Sequence, residues 1–192
     1  FAMFIVAQAA APFGGHDYVQ RTTGLTYAEY VHQGFGQLTF ATILTLGVVA
    51  LVWRKAPRRT VRERIFVRSG VGVLGLLALL VVASAQHRMM LYQEAFGFTV
   101  LRLNVDAFEL WLGLVILVAV VATWTMSWKW VSRTALFSAA AIVLTLAVMN
   151  PSAWVAQRNI DRFHQTGKLD DAYLSSLGAD AVPAITKGLP AD

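Results

Sequence analysis

The chain has no cysteine, and only 14% of its 192 residues are charged. The first absence excludes disulfide bridges and thiolate metal ligands; the second leaves too little polar surface for an ordinary water-soluble domain of this length. Catalytic signatures are missing as well. There is no GxSxG around any serine, no HExxH, no histidine pair four apart and no GxxxxGK[ST] phosphate loop, so nucleophilic hydrolysis and nucleotide cleavage have no motif to rest on. The formal charge is +5, but the basic residues concentrate in one place, which argues against nucleic acid as a partner.

What the chain has in abundance is apolar sequence, 57% hydrophobic by residue with a mean hydropathy of +0.57. Uncharged stretches cover residues 34–53, 69–86, 110–128 and 134–149, the third lying in a span expected over 107–128 with Asp106 and Glu109 at its acidic entry. A helix rising ~1.5 Å per residue needs ~20 residues to cross a hydrocarbon layer of ~30 Å. A soluble bundle would show a polar face every three or four residues. Residues 71–83 show none, being all apolar or glycine. The expected fold is therefore all-α, a polytopic transmembrane helix bundle. It has four full spans plus the end of a preceding one at about residues 1–11, then a small helical extracytoplasmic tail. The bundle is expected over 1–149 and the tail over 150–192. The opening FAMFIVAQAA reads as the last turns of another span, which suggests a missing N-terminal portion.

Orientation follows from charge. Between the first two full spans Arg54, Lys55, Arg58, Arg59, Arg62, Arg64 and Arg68 face a single acid, Glu63, and this loop is expected in the cytoplasm against anionic lipid. Lys129 and Arg133, with Trp124, Trp128 and Trp130 as interfacial anchors, mark the next loop on that side. The outer side then receives residues 12–33, 87–105 and the tail. Thr26 and Glu29 have capping-box spacing at the head of the first full span. In the tail, Asn150-Pro151 reads as a cap followed by a first-turn proline, Gly167 as a stop, and Asp170 as the cap of a second short helix. Gly70, Gly72 and Gly75 are expected to permit close helix packing.

The polar residues near the outer boundary form the candidate cluster: Glu29, His32, Arg88, Glu94, Arg102, Asp106 and Glu109. Arg102, Asp106, Glu109 and Gly113 share one helical face, and carboxylates at a span entrance need compensation. A structural network joining Arg102 to Asp106, or Arg88 or His32 to Glu109, is the first expectation. A metal site built on His32 with Glu29 or His87 and an acid from the third span is a sharper alternative, without a recognised ligand spacing behind it. No catalytic, cofactor or metal-binding residue is assigned, and the cofactor is left unknown.

Four segments carry a family resemblance: YAEYVHQGFGQL at 27–38, RMMLYQEAFGFTVLRLNV at 88–105, NPSAWVAQRNIDR at 150–162 and LDDAYLSSLGADAVPAI at 169–185. In that order they resemble the bacterial membrane family catalogued as domain of unknown function 4173, close to its 4153 relative. The resemblance implies a longer polytopic protein of the bacterial plasma membrane, of which this would be a C-terminal part. It implies no activity. It also implies arginine at position 32 and tyrosine at 96, where this chain has His32 and Phe96. The functional expectation is a structural, sensory or partner-binding membrane subunit. Its partner would be another membrane protein or the missing part of its own chain. A transporter or lipid-handling protein with a polar site at the outer boundary is the alternative, and a membrane-embedded metal-dependent enzyme ranks behind both.

Overall fold

A computed structural model describes residues 27–189 of the chain, with side-chain surroundings from residue 39 onward. Every regular element among the described residues is helical. In order they are α1 (Tyr27–Lys55), α2 (Val61–Phe96), α3 (Val100–Trp124), α4 (Val131–Met149), α5 (Pro151–Thr166), α6 (Asp171–Ser176), a 3-10 turn (Ala179–Ala181) and α7 (Val182–Gly188). Among the described residues α2, α3 and α4 are long and apolar enough to cross a membrane. The stretch expected to form the first full span lies within α1, part of which falls outside the described side chains, and the partial span at residues 1–11 lies wholly outside the described residues.

The helices run further than their apolar stretches. Arg62, Arg64 and Arg68, expected in a loop, belong to α2. Its start is dictated by Thr60: the Thr60 hydroxyl accepts from the Glu63 N–H at 3.2 Å, while the Glu63 carboxylate accepts from the N–H groups of Thr60 (3.0 Å) and Arg59 (2.8 Å). This reciprocal cap satisfies helix-end donors that would otherwise be orphaned. The N–H of Thr60 is the main reason the exposed Glu63 carboxyl, which precedes the apolar stretch, is held below the usual carboxylate range. At the other end, the segment expected as an outer loop over 87–105 is a helical hairpin. α2 continues to Phe96, Gly97 turns the chain at φ 85°, and the Thr99 hydroxyl accepts from the Arg102 N–H to open α3.

α3 stops at Trp124, four residues before the expected end of that span. Met126 takes the left-handed conformation there (φ 54°), and the N–H groups of Met126 and Ser127 donate to the carbonyls of Thr123 and Ala122. That bond pattern ends a helix as a glycine would, with methionine in the glycine's place. The tail follows the sequence closely. The Asn150 side chain accepts from the Ala153 N–H ahead of Pro151, Gly167 closes α5 at φ 68°, and Asp170 accepts from the Tyr173 N–H at 2.9 Å.

The chain divides into two compact units, Phe1–Arg88 with Glu109–Ser138 and Met89–Phe108 with Ala139–Asp192. In the first, Val49, Val67, Val71 and Ala119 form one buried cluster and Ala78, Val82 and Ile116 another. Two buried hydroxyls are satisfied within their own helices, Thr45 donating to the Ala41 carbonyl and Thr123 to that of Ala119. Gly75 is the close-packing glycine the sequence suggests, since a Cβ there would lie 2.2 Å from Val120 Cγ2. At Gly70, by contrast, no atom of the described residues lies within 4 Å of where its Cβ would be. In the second unit Ala156, Leu174 and Ala181 make the core of the tail, and Gly188 lets α7 approach Ile160. On α4 only Val131 is buried, while Leu136, Phe137, Val143, Leu144 and Val148 are exposed. Such a surface suits hydrocarbon rather than water.

The expected effect of Gly75→Leu is a loss of thermal stability in detergent of about 1–3 kcal/mol, from overpacking against Val120. Val120→Ala in the same chain should restore part of it. Tryptophan-fluorescence melting checks both, and an unchanged midpoint for Gly75→Leu would refute the close approach.

Candidate functional site

The turn between α2 and α3 is three residues long, so its peptide groups cannot all pair within a helix. Asn159, on α5 and 61 residues from Phe98 in sequence, supplies what they lack. Its Oδ1 accepts from the Phe98 N–H at 2.8 Å and its Nδ2 donates to the Phe98 carbonyl at 2.8 Å. One planar amide thus satisfies both polar groups of one residue's backbone. Gly97 makes the approach possible: besides its positive φ, a Cβ there would sit 2.9 Å from Asn159 Oδ1. The Phe98 ring meets Trp154 edge to face at 5.8 Å, and the Val100 N–H donates to the Tyr173 hydroxyl at 2.8 Å.

Two guanidinium groups hold the end of α2, whose last turn has no basic residue of its own. Arg162 of α5 donates through Nε to the Glu94 carbonyl (2.8 Å) and through Nη2 to that of Ala95 (2.6 Å). Arg102 of α3 donates to the Gly97 carbonyl at 2.5 Å and stacks on the Tyr92 ring at 4.4 Å. Positive charge at these carbonyls opposes the negative end of the helix dipole.

Of the candidate residues, Arg102 and Asp106 therefore come together with residues of the hairpin, though not as the pair suggested by their four-residue spacing. Arg102 turns to Gly97 and Tyr92, while Asp106 accepts from Gln93 Nε2 at 2.5 Å. Glu94 is exposed and contributes its backbone carbonyl to the clamp. Arg88 is half-buried near the middle of the α2 C-terminal half. Glu29 and His32 lie on α1, with side chains outside those described. In the first unit, Glu109 is almost fully enclosed (1% exposed) and accepts from Gln86 Nε2 at 3.0 Å. Among the described residues no three His, Cys, Asp or Glu side chains converge as a metal-binding group.

At the basic end of the first unit, Trp53 and Trp128 stack at 5.2 Å and 21°. Arg58 lies over the Trp53 ring at 4.0 Å and donates to the Trp53 and Ala56 carbonyls. Arg64 donates to the Arg58 carbonyl at 3.1 Å. Arg54, Lys55, Arg59 and Arg62 are exposed, and Arg68 is half-buried.

Sequence reasoning missed Gln86, Gln93, Asn159, Arg162 and Tyr173. A signal existed for three of them. Gln86 and Gln93 are amides seven residues apart in an apolar helix, and Asn159 sits on the inward stripe of α5 with Val155, Ala156 and Ile160.

An amide bound to a carboxylate and a side-chain amide bound to backbone are positioning contacts, and the protein they define is an all-helical domain with membrane-span-like helices and a clamped terminal helical unit. The chain belongs to the family described as Domain of unknown function (DUF4153), whose model matches residues 1–188. The family number is thus 4153, and not the 4173 to which the resemblance first pointed. Neither the curated proteins nor the solved structures gave a match to the chain.

Asn159→Ala leaves the N–H and carbonyl of Phe98 without their partner and should destabilise the second unit by about 1–3 kcal/mol. Trypsin should then cut at Arg158, Arg162 or Lys168 faster than in the parent chain, with Asn159→Asp intermediate because it keeps the acceptor. Equal cleavage of all three proteins would refute the clamp.

Proposed function

We propose that this chain is a multi-pass subunit of the bacterial plasma membrane. It has four full crossings, a cytoplasmic basic loop and an extracytoplasmic tail, and its work is to hold and present a binding surface to another membrane protein or to the rest of its own chain. The observation that carries this reading is the commitment of polar groups at the hairpin to fixed backbone and amide partners, above all Asn159 on Phe98. A surface held this way keeps its shape without a ligand, and presenting a fixed surface is what a binding subunit requires.

Parity supports the topology. Phe98 and Asn159 are hydrogen-bonded, and two apolar helices, α3 and α4, lie between them in sequence. Trp53 and Trp128 are stacked, with α2 and α3 between them. An even number of crossings returns a chain to the side it left, so both contacts suit helices that cross. The charge of the Arg54–Arg68 segment then favours the cytoplasm for the Trp53 end.

The second reading, a transporter or lipid-handling protein, is favoured by one feature: the carboxylates of Asp106 and Glu109 stand in an apolar helix, where ionisable groups are costly and usually functional. Two measurements separate the readings. In a chain without native cysteines, Arg59→Cys and Ser175→Cys should react with an impermeant maleimide from opposite faces of intact cells, and same-face labelling would end the topology. Asp106→Asn and Glu109→Gln, made separately, should lower thermal stability by roughly 1–3 kcal/mol and weaken partner retention. Normal stability and partners, together with loss of a transport phenotype, would favour the second reading.

A further inference from the structure

The basic end of the first unit holds a cavity of about 360 Å³ between α1 and α2, within the ~300–1,000 Å³ typical of small-ligand sites. Its walls are apolar except for Glu63, whose carboxylate is tied to the N–H groups of Arg59 and Thr60: Val48 and Val52 come from α1, and Phe66, Val67, Gly70 and Leu74 from α2. Ala56 and Pro57 close its upper end, at the loop. We propose that this groove seats one acyl chain of an anionic phospholipid, with Arg59 and Arg62 holding its phosphate at the groove mouth.

Three observations select this occupant. The first is Gly70. In an uninterrupted helix a glycine costs stability relative to other residues, yet among the described residues no atom lies within 4 Å of a Cβ placed at this one. What its missing side chain provides is the open floor of the groove. The second is register. Arg62, Phe66 and Gly70 follow one another at four-residue spacing on α2, so a basic group stands one turn above the 80% exposed Phe66 ring and two turns above the open floor. A phospholipid has this order, a charged phosphate above a hydrocarbon chain.

The third observation is charge. The segment 54–68 has seven basic residues against Glu63, and the Glu63 carboxylate is bound to the N–H groups of Arg59 and Thr60. Arg58 is occupied by Trp53, and the Arg64 Nε by the Arg58 carbonyl. Arg59 and Arg62 are exposed, and each lies four residues before a residue of the groove lining, Glu63 and Phe66. Guanidinium groups bind phosphate oxygens in a fork geometry, and basic residues at this depth favour anionic headgroups. The inference rests on α1 and α2 crossing a bilayer, as proposed above, and is independent of which side the basic end faces and of any protein partner.

The test uses the 192-residue chain reconstituted in phosphatidylcholine nanodiscs containing a minor share of phosphatidylglycerol, then extracted into mild detergent for native mass spectrometry. The expected result is one phosphatidylglycerol retained per chain in preference to phosphatidylcholine. Gly70→Leu should reduce that retention several-fold while its melting temperature stays level or rises, because leucine favours the helix and its Cβ meets no atom of the described residues. The surface double variant Arg59→Gln, Arg62→Gln should remove the preference for phosphatidylglycerol over phosphatidylcholine. Three results would overturn the proposal: a parent chain that retains no phospholipid, as when residues 1–26 or a second copy fill the groove; equal retention of the two lipids; or undiminished retention in Gly70→Leu. Cysteine labelling from opposite faces, measured separately, tells failure of the groove from failure of the topology.

Discussion

The second unit depends on one amide. A helical hairpin with a three-residue turn presents peptide groups that neither helix can satisfy, and unsatisfied groups at the edge of an apolar region are costly. Asn159 answers the Phe98 N–H and carbonyl together, which only a side chain with a donor and an acceptor in one plane can do. Other features follow from its position. Gly97 must lack a side chain for Asn159 to reach, and Trp154, five residues earlier on α5, is brought against the Phe98 ring. Arg162, three residues later, meets the last carbonyls of α2. These residues serve the same contact, and the regular spacing of α5 delivers them to it.

The first unit is held by different means. Its buried residues are mostly small or β-branched, with Gly75 and Gly113 letting α2 and α3 approach, and the buried Thr45 and Thr123 bond to their own helices. Where lipid replaces water, burial of an apolar side chain against protein gains little over burial against hydrocarbon, so close packing has to carry association. Glu109 brings a carboxylate into this interior, and its bond to Gln86 ties α3 to α2.

Much of this architecture was legible in the sequence because lipid imposes simple rules. Length and hydropathy located the apolar helices, and Asn150-Pro151, Gly167 and Asp170 marked the tail helices at their true ends. Boundaries set by local hydrogen bonds were harder. The Thr60 and Glu63 cap was hidden inside a run of arginines that drew attention as charge, and the hairpin at Gly97 was concealed by polar residues typical of a loop. At the candidate site the acids Asp106 and Glu109 stood out, whereas their amide partners did not, since glutamine in a helix carries no charge to betray it. Spacing drew attention from Arg102 to Asp106, whereas its bond to the Gly97 carbonyl, made in the turn after α2, leaves no trace in the sequence.

The separation between Phe98 and Asn159 also sets an order of events. Contacts between residues far apart in sequence form late, because the intervening chain must first be ordered. Here the intervening chain is α3 and α4, so the clamp can close only after both have been made and ordered. Asn159 thus acts as a latch that closes late in folding. A chain in which α5 has not yet docked leaves the hairpin unlatched and the peptide groups of Phe98 bare.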